Sequence, residues 1–319
     1  MLRSLLILMS KSAWLKKVVM HWRPARKASQ RFIAGENLEQ AIAVVRKLNA
    51  AGMNTTLDQL GEHTTTVVGA LQSTRDVQAI INAIVINQVR SNVSVKLSQI
   101  GLSLGDALCE KNLKVILDHA AVEGLFVRID MEGSDLTQKT IDMYHRMIQF
   151  GYKNVGIVIQ SYLYRSQADI TDLSRWGGKV RLCKGAYKEP ASIAFPRMAD
   201  VNTNFDQLTQ LLFTSIKNAN NPKISKDGIT PPIAALATHD PLRIDFARRL
   251  AEDMQLPRES IEFQMLFGIR RDLQEQMVNA GFPVRIYVPF GTQWYPYFMR
   301  RLAERPANLW FFISSFLRK

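Results

Sequence analysis

Cysteine is nearly absent from this chain, and the two that occur, Cys109 and Cys183, stand outside any C-x-x-C spacing. A disulfide scaffold and a zinc ribbon are thereby excluded, a reducing compartment is indicated, and both thiols read as small apolar core residues. No apolar run approaches the roughly 20 residues that a bilayer-spanning helix needs. The run LLILM at 5–9 is shorter than the apolar heart of a secretory leader and is followed by no small-residue cleavage site, so a cytoplasmic protein is expected. Glycine (17) and proline (12) are too sparse among 319 residues for a collagen-like or low-complexity chain. No G-x-G-x-x-G turn is present, which counts against a doubly wound dinucleotide-binding sheet.

Acidic residues are missing from the first 35 positions, where Arg3, Lys11, Lys16, Lys17, Arg23, Arg26, Lys27 and Arg31 supply eight of the net +13. The last 23 residues add about four more, from Arg300, Arg301, Arg305, Arg318 and Lys319 against Glu304, so the middle is almost neutral. A nucleic-acid binder needs positive charge across one face of the fold, and no such partner is expected. Basic termini beside apolar runs at 5–9 and 309–316 have the pattern of a segment lying on the inner, anionic face of a membrane, and equally that of a solvated positive tail.

What is present is alternation. Short β-branched runs bounded by turn residues occur at 55–61, 92–100, 124–131, 154–161, 179–185, 232–240, 261–268 and 284–291, and amphipathic stretches of helical length separate most of them, for example 74–89, 104–122, 138–150 and 241–254. Eight β-then-α units of about 30 residues predict an α/β fold of the (β/α)8 barrel type. A helix at 38–51 precedes the first strand. The stretch 187–230 exceeds a normal crossover and predicts an extra helix near 205–218. The expected division is a basic helical segment, 1–53, and a barrel, 54–319.

Within the strands, Val93, Val95 and Leu97 oppose Ser94, Lys96 and Ser98; Val127 and Ile129 oppose Arg128 and Asp130; Val180 and Leu182 oppose Arg181 and Cys183; Val284, Ile286 and Val288 oppose Arg285 and Tyr287. If the apolar faces meet the helices, then Lys96, Asp130, Gln160, Arg181, Gln264 and Tyr287 point into the lumen. So polar a lumen is costly unless a ligand or mutual pairing satisfies it. Arg300 and Arg301 follow strand eight within reach of the barrel mouth, with Tyr287, Tyr295 and Tyr297 nearby. Together with Lys96 they would hold a carboxylate, each charge-assisted bond contributing roughly 1.5–3 kcal/mol. Lys96 beside Asp130 also fits a Schiff-base nucleophile of an aldolase-type lyase. His239-Asp240 ends strand six, but no other strand end offers a histidine, and a metal site is not expected.

RLCKGAYKEP (181–190), ALATHD (235–240), EFQMLFGIR (262–270), VRIYVPFGTQWYPYFMRRLAERPANL (284–309), SVKLSQIG (94–101) and VRIDMEGSD (127–135) occur in order on separate strands. They closely resemble the proline dehydrogenase family in its short monofunctional bacterial form, over about residues 50 to 310. The resemblance implies a distorted barrel holding FAD noncovalently, with a last helix across its mouth. It further implies oxidation of L-proline to Δ1-pyrroline-5-carboxylate, by hydride transfer to flavin N5, with electrons passing to a membrane quinone. Arg300, Arg301 and Lys96 then look like the carboxylate clamp, and Tyr287, Tyr297 and Leu266 like the walls around the ring, with the family's tyrosine at the Tyr287 position excluding a ring hydroxyl. Asp130 resembles the acidic residue that organises Lys96 and the flavin surroundings, and so also takes a cofactor position. Gln160, Arg181, Lys184, Gly185, Ala186, Thr238, His239, Gln264, Arg301 and Glu304 match cofactor positions.

Overall fold

The computed structural model describes residue 19, residues 29–61 and residues 64–304, the side chains of 302–304 excepted. The apolar runs at 5–9 and 309–316 and most of the basic N-terminus lie outside the described residues.

Eight strands form the barrel: β1 (Asn54–Gln59), β2 (Ser91–Val95), β3 (Val127–Ile129), β4 (Val155–Gln160), β5 (Val180–Cys183), β6 (Ala234–Ala237), β7 (Ile261–Leu266) and β8 (Val284–Phe290). Each pairs in parallel with the next, and β1 pairs in parallel with β8, which closes the sheet. A closed parallel sheet has no free edge, and its outer face must be covered. Leu57, Val93, Val127, Ile157, Leu182, Phe263 and Ile286 supply that outer face, all fully buried. The cover is α2 (Val67–Ile86), α3 (Asp106–Val122), α4 (Ser134–Gln149), α5 (Ser166–Arg175), α6 (Met198–Asn218), α7 (Pro241–Asp253) and α8 (Arg271–Asn279), one after each of β1 to β7, together with α1 (Leu38–Ala50) before β1. Their inner stripes recur at helical spacing, as in Leu113, Ile116, Leu117 and Ala120 of α3. A last helix, α9 (Trp294–Glu304), follows β8.

Several sequence expectations are corrected. The long segment after β5 contains no added helix; α6 is the crossover itself, 21 residues long, and the loop behind it closes the bottom of the barrel. Strand two ends at Val95, because the backbone turns at once: Ile100 and Leu102 both bond to Leu97 O, and Gly101 adopts φ +112°. Ser98 therefore belongs to a turn. Helix α2 starts at Val67, seven residues earlier than its apolar period suggests, because Thr66 caps it, accepting from Gly69 N at 3.1 Å. Cys109 is a core residue on α3, whereas Cys183 is only partly buried and stands on the lumen face at the end of β5. Burial pushes both thiols up to about 12, so neither is nucleophilic at neutral pH.

The stretch just before α1 falls within the expected helical segment 1–53, but residues 33–37 are not helical. Ala34 N donates to Pro289 O at 2.9 Å, and Gly291 N donates to Gly35 O at 2.9 Å, so this stretch runs along the end of β8. Gly268, at φ +76°, lets it pass, since any β-carbon there would collide with Arg31 O. Phe32 and Ile33 enter a second apolar cluster with Leu60, Ile269, Trp294, Tyr295, Tyr297 and Phe298, which seats α9.

Candidate active site

Alternation along the strands turns the polar side chains inward, and their bonds prove it by joining strands that are not neighbours. At the base, Arg285 of β8 grips both oxygens of Glu262 on β7 through Nε, at 3.0 and 3.1 Å, and donates to Thr55 O and Gly228 O. Glu262 accepts from Gln264 Nε2, and Gln264 Oε1 accepts from Arg181 Nε of β5, each at 2.5 Å. Arg181 Nη1 donates to Asp130 Oδ1 at 2.9 Å, beyond the end of β3. Asp130 also accepts from Ser94 Oγ at 2.6 Å, from Tyr287 Oη at 2.7 Å and from Lys96 Nζ at 3.3 Å. Lys96 Nζ finally meets Asp58 Oδ1 on β1 at 2.7 Å. From base to mouth the charges read Arg285, Glu262, Arg181, Asp130, Lys96, Asp58. Cations and carboxylates alternate along these six, which offsets the cost of burying them, and Arg128 of β3, fully buried beside them, is lowered by burial and by Arg181.

Electrostatics follow from this order. Burial pulls the Lys96 ammonium down, but Asp58 and then Asp130 outweigh it and hold the group charged, above its ordinary range. Burial raises Asp130, yet Lys96 and Arg181 overcome it and keep the carboxyl below the ordinary value. For Asp58 burial prevails and the carboxyl is raised. Tyr287 is held well above 10 by burial and by Asp130 and Asp58, so its phenol remains a donor. Two carboxylates that favour the ammonium make Lys96 a poor Schiff-base nucleophile, which counts against the lyase reading.

Around this column the strand ends are laced together. Ser98 donates to Glu132 through N at 3.0 Å and through Oγ at 2.5 Å. Gln160 Nε2 donates to Glu132 O at 2.8 Å. Lys184 pairs with Asp240 at 2.7 Å, and Asp240 N donates to Thr238 Oγ1 at 3.1 Å. His239 Nε2 accepts from Leu266 N at 2.9 Å, which fixes the neutral imidazole with its proton on Nδ1. At Gly185, φ +108°, a β-carbon would collide with the Tyr162 ring, so the backbone between Lys184 and Ala186 packs directly on that ring.

Above the mouth lies α9. Its anchoring face is apolar: Trp294 and Phe298 stack edge to face at 5.8 Å, and Tyr295 is fully buried. Arg301 is buried with its guanidinium 5.0 Å from the Tyr297 ring centre, while Arg300 is half-buried. Tyr187, in the loop after β5, lies within electrostatic reach of Arg300 and also of Glu132, Lys96 and Asp130. One phenol thus senses both the helix and the lumen.

Of the residues singled out from sequence, the structure brings Lys96, Asp130, Arg181, Gln264 and Tyr287 into one bonded network, with Gln160, Lys184, Gly185, Ala186, Thr238, His239 and Leu266 at the surrounding strand ends and Tyr297, Arg300 and Arg301 on the helix above. Both ends of the Gln264 amide are engaged within the column. The Glu304 side chain lies outside the described residues. Sequence reasoning missed Asp58, Glu132 and Tyr187. Asp58 was visible in principle, since Thr56 and Asp58 alternate with Leu57 as Lys96 does with Val95 and Leu97.

The family model described as proline dehydrogenase matches residues 41–313. Proline dehydrogenase 2 of Bacillus subtilis strain 168 is 35% identical over 317 residues, covering 99% of each chain. The proline dehydrogenase of Deinococcus radiodurans is 36% identical over 294 residues, covering 91% of this chain and 90% of that one. Among solved structures, proline utilization A of Bdellovibrio bacteriovorus, inactivated by N-propargylglycine, superposes with a TM-score of 0.78 at 25% identity over 88% of this chain, which spans 33% of that longer protein.

Proposed function

Because the chain belongs to the proline dehydrogenase family, we propose that its barrel mouth oxidises L-proline to Δ1-pyrroline-5-carboxylate with noncovalent FAD. The observation that carries this reading is Lys96, held as an ammonium by two carboxylates beneath a helix bearing Arg300 and Arg301. Three cations, one at a strand end and two on the helix that follows β8, would suit a small carboxylate. Tyr287, Tyr297 and Leu266 give the apolar walls that a compact saturated ring requires.

The residues present fit a flavin. Arg181 is anchored by Gln264 and Asp130 with its guanidinium carbon 5.3 Å from the Tyr287 ring centre, and His239 accepts from Leu266 N through Nε2, which leaves a donor on Nδ1. Arg181, Lys184, Gly185, Ala186, Gln160, Thr238, His239, Arg301 and Glu304 would hold it, with Gln264 aiming Arg181. When bound, the flavin supplies the hydride acceptor, N5.

The chain's own groups do the rest. The clamp would fix the carboxylate end of the substrate and with it the orientation of the ring. The amine must lose its proton before hydride departure, and a cationic pocket favours the neutral amine. Tyr287, fixed by donation to Asp130, occupies the space that a ring hydroxyl would need. We propose a membrane quinone as the final electron acceptor, with the basic termini as contacts to the inner membrane face; among the described residues no helix is long and apolar enough to cross a membrane. The division into a segment 1–53 and a barrel 54–319 belongs to the same proposal.

The test is an absorption spectrum of the purified protein before and after L-proline without oxygen. A flavin spectrum that bleaches with L-proline and far less with 4-hydroxyproline is expected. A protein that stays colourless after reconstitution with FAD would overturn the reading.

A further inference from the structure

Helix α4 begins without a cap of its own. Its N-cap position is Gly133, which has no side chain to bond the first free N–H groups. The missing acceptor comes from 55 residues further along the chain. Glu189, in the loop between β5 and α6, accepts from Ser134 N through Oε1 at 2.9 Å and from Ser134 Oγ through Oε2 at 2.5 Å, and Tyr162 Oη lies 3.5 Å from Oε1. A carboxylate at a helix N-terminus is favoured by the free amides and by the helix dipole, and two bonds to one residue fix its direction as well.

The two ends of this latch both belong to the proposed site. Ser134 lies four residues after Asp130, so the latch is rooted in the strand end that carries the column's central carboxylate. Glu189 lies two residues after Tyr187. On the other side of Tyr187, Lys184 is tied to Asp240 at 2.7 Å and its carbonyl accepts from Tyr162 N at 3.0 Å. Beyond the latch, Tyr164 Oη donates to Ala191 O at 2.9 Å and Leu163 bridges Ala194, which anchors the rest of the loop. Tyr187 therefore hangs between two fixed points, and Glu189 is the nearer on its C-terminal side.

We propose that Glu189 is a positioning residue for substrate: its bonds to Ser134 hold the Tyr187 phenol between Arg300 and the Lys96–Asp130 pair. The inference rests on the proline-oxidising reading of the site. Glu189 touches neither cation, and its effect on the substrate passes through Tyr187.

The experiment compares Glu189→Ala, Glu189→Gln, Ser134→Ala, Tyr187→Ala and the double variant Glu189→Ala/Tyr187→Ala as flavin-loaded enzymes. Steady-state KM and kcat for L-proline are measured together with the rise in melting temperature that L-proline gives without oxygen. Glu189→Ala should raise KM about tenfold, leave kcat within about threefold and shrink the proline-induced thermal shift. Glu189→Gln keeps an acceptor for Ser134 N and a donor for Ser134 Oγ, and should stay within about twofold of the parent. The double variant should have the KM of Tyr187→Ala alone, since nothing is left to position; a loose helix cap alone would lower the melting temperature without this dependence. A Glu189→Ala KM within about twofold of the parent, or an increase that adds in full to that of Tyr187→Ala, would overturn the proposal. Should Glu189→Ala fail to fold, Ser134→Ala, which loses one of the two bonds, is judged by the same KM criterion. A parent protein whose flavin is not bleached by L-proline overturns the underlying reading, before any variant is compared.

Discussion

Asp58 holds the Lys96 ammonium at 2.7 Å, closer than Asp130 does at 3.3 Å. The nearer counter-ion thus comes from β1, while Asp130 is shared among Arg181, Ser94 and Tyr287. Lys96 is steered from two sides, and each carboxylate has a separate consequence.

Asp58→Asn should weaken the aim of Lys96 without removing its charge, because Asp130 still faces it. A fall of about 10- to 100-fold in kcat/KM for L-proline is expected, mostly in KM, since a charged hydrogen bond contributes about 1.5–3 kcal/mol. Retention of parental KM would mean that Asp130 alone orients the lysine.

Lys96→Met leaves Asp58 and Asp130 facing each other without their shared cation. Asp58 is already raised by burial and would rise further, so above 3.8 the folded protein holds a proton that the unfolded carboxyl has lost. Folding stability of this variant should increase as pH falls from 7.5 through the raised value of the Asp58 carboxyl, as that group is neutralised. The parent has the opposite contribution from Asp130, whose lowered carboxyl stabilises the fold above 3.8 and ceases to as pH falls through its folded value. Urea titrations across this pH range check the sign.

Activity should climb with pH across neutrality as proline sheds its ammonium proton. Because Lys96 is held above its ordinary 10.5, the clamp stays charged throughout that climb, and no descending limb is expected until the solution is strongly alkaline. A bell centred near neutrality in kcat/KM would contradict this assignment.

Arg285→Met should destabilise the fold by about 3–5 kcal/mol, because it strands the fully buried Glu262 carboxylate. Adding Glu262→Gln should recover part of the loss, which a denaturant midpoint series would measure.

Gly156→Ala tests the lumen floor. A β-carbon there would stand 2.6 Å from Lys179 O and 2.7 Å from Phe126 Cζ, and would press on the Arg128 guanidinium that crosses the same space. Overpacking of this kind costs about 1–3 kcal/mol, and the melting temperature should fall accordingly.

Strand number, order and inward faces were legible in the sequence because a period of two survives wherever one face meets helices and the other a polar lumen. Lys96, Asp130 and Tyr287 stood out as charged or polar residues inside apolar runs. Asp58 did not, since its strand reads NTTLDQ and is polar on both sides. The Glu189–Ser134 contact joins residues 55 positions apart through a loop, and no local pattern announces such a pairing. The stretch 31–35 was illegible for a similar reason: its partners, Pro289 and Gly291, are met through backbone bonds more than 250 positions along the chain, and the glycines that permit the approach give no local pattern.

That stretch gives the molecule a second seam. The sheet is sewn shut where β1 meets β8, and then again, outside it, where the chain entering the fold runs beside the chain about to leave it and both press on α9. Beginning and end of the barrel share one apolar cluster, so residues some twenty positions before the first strand help to seat α9.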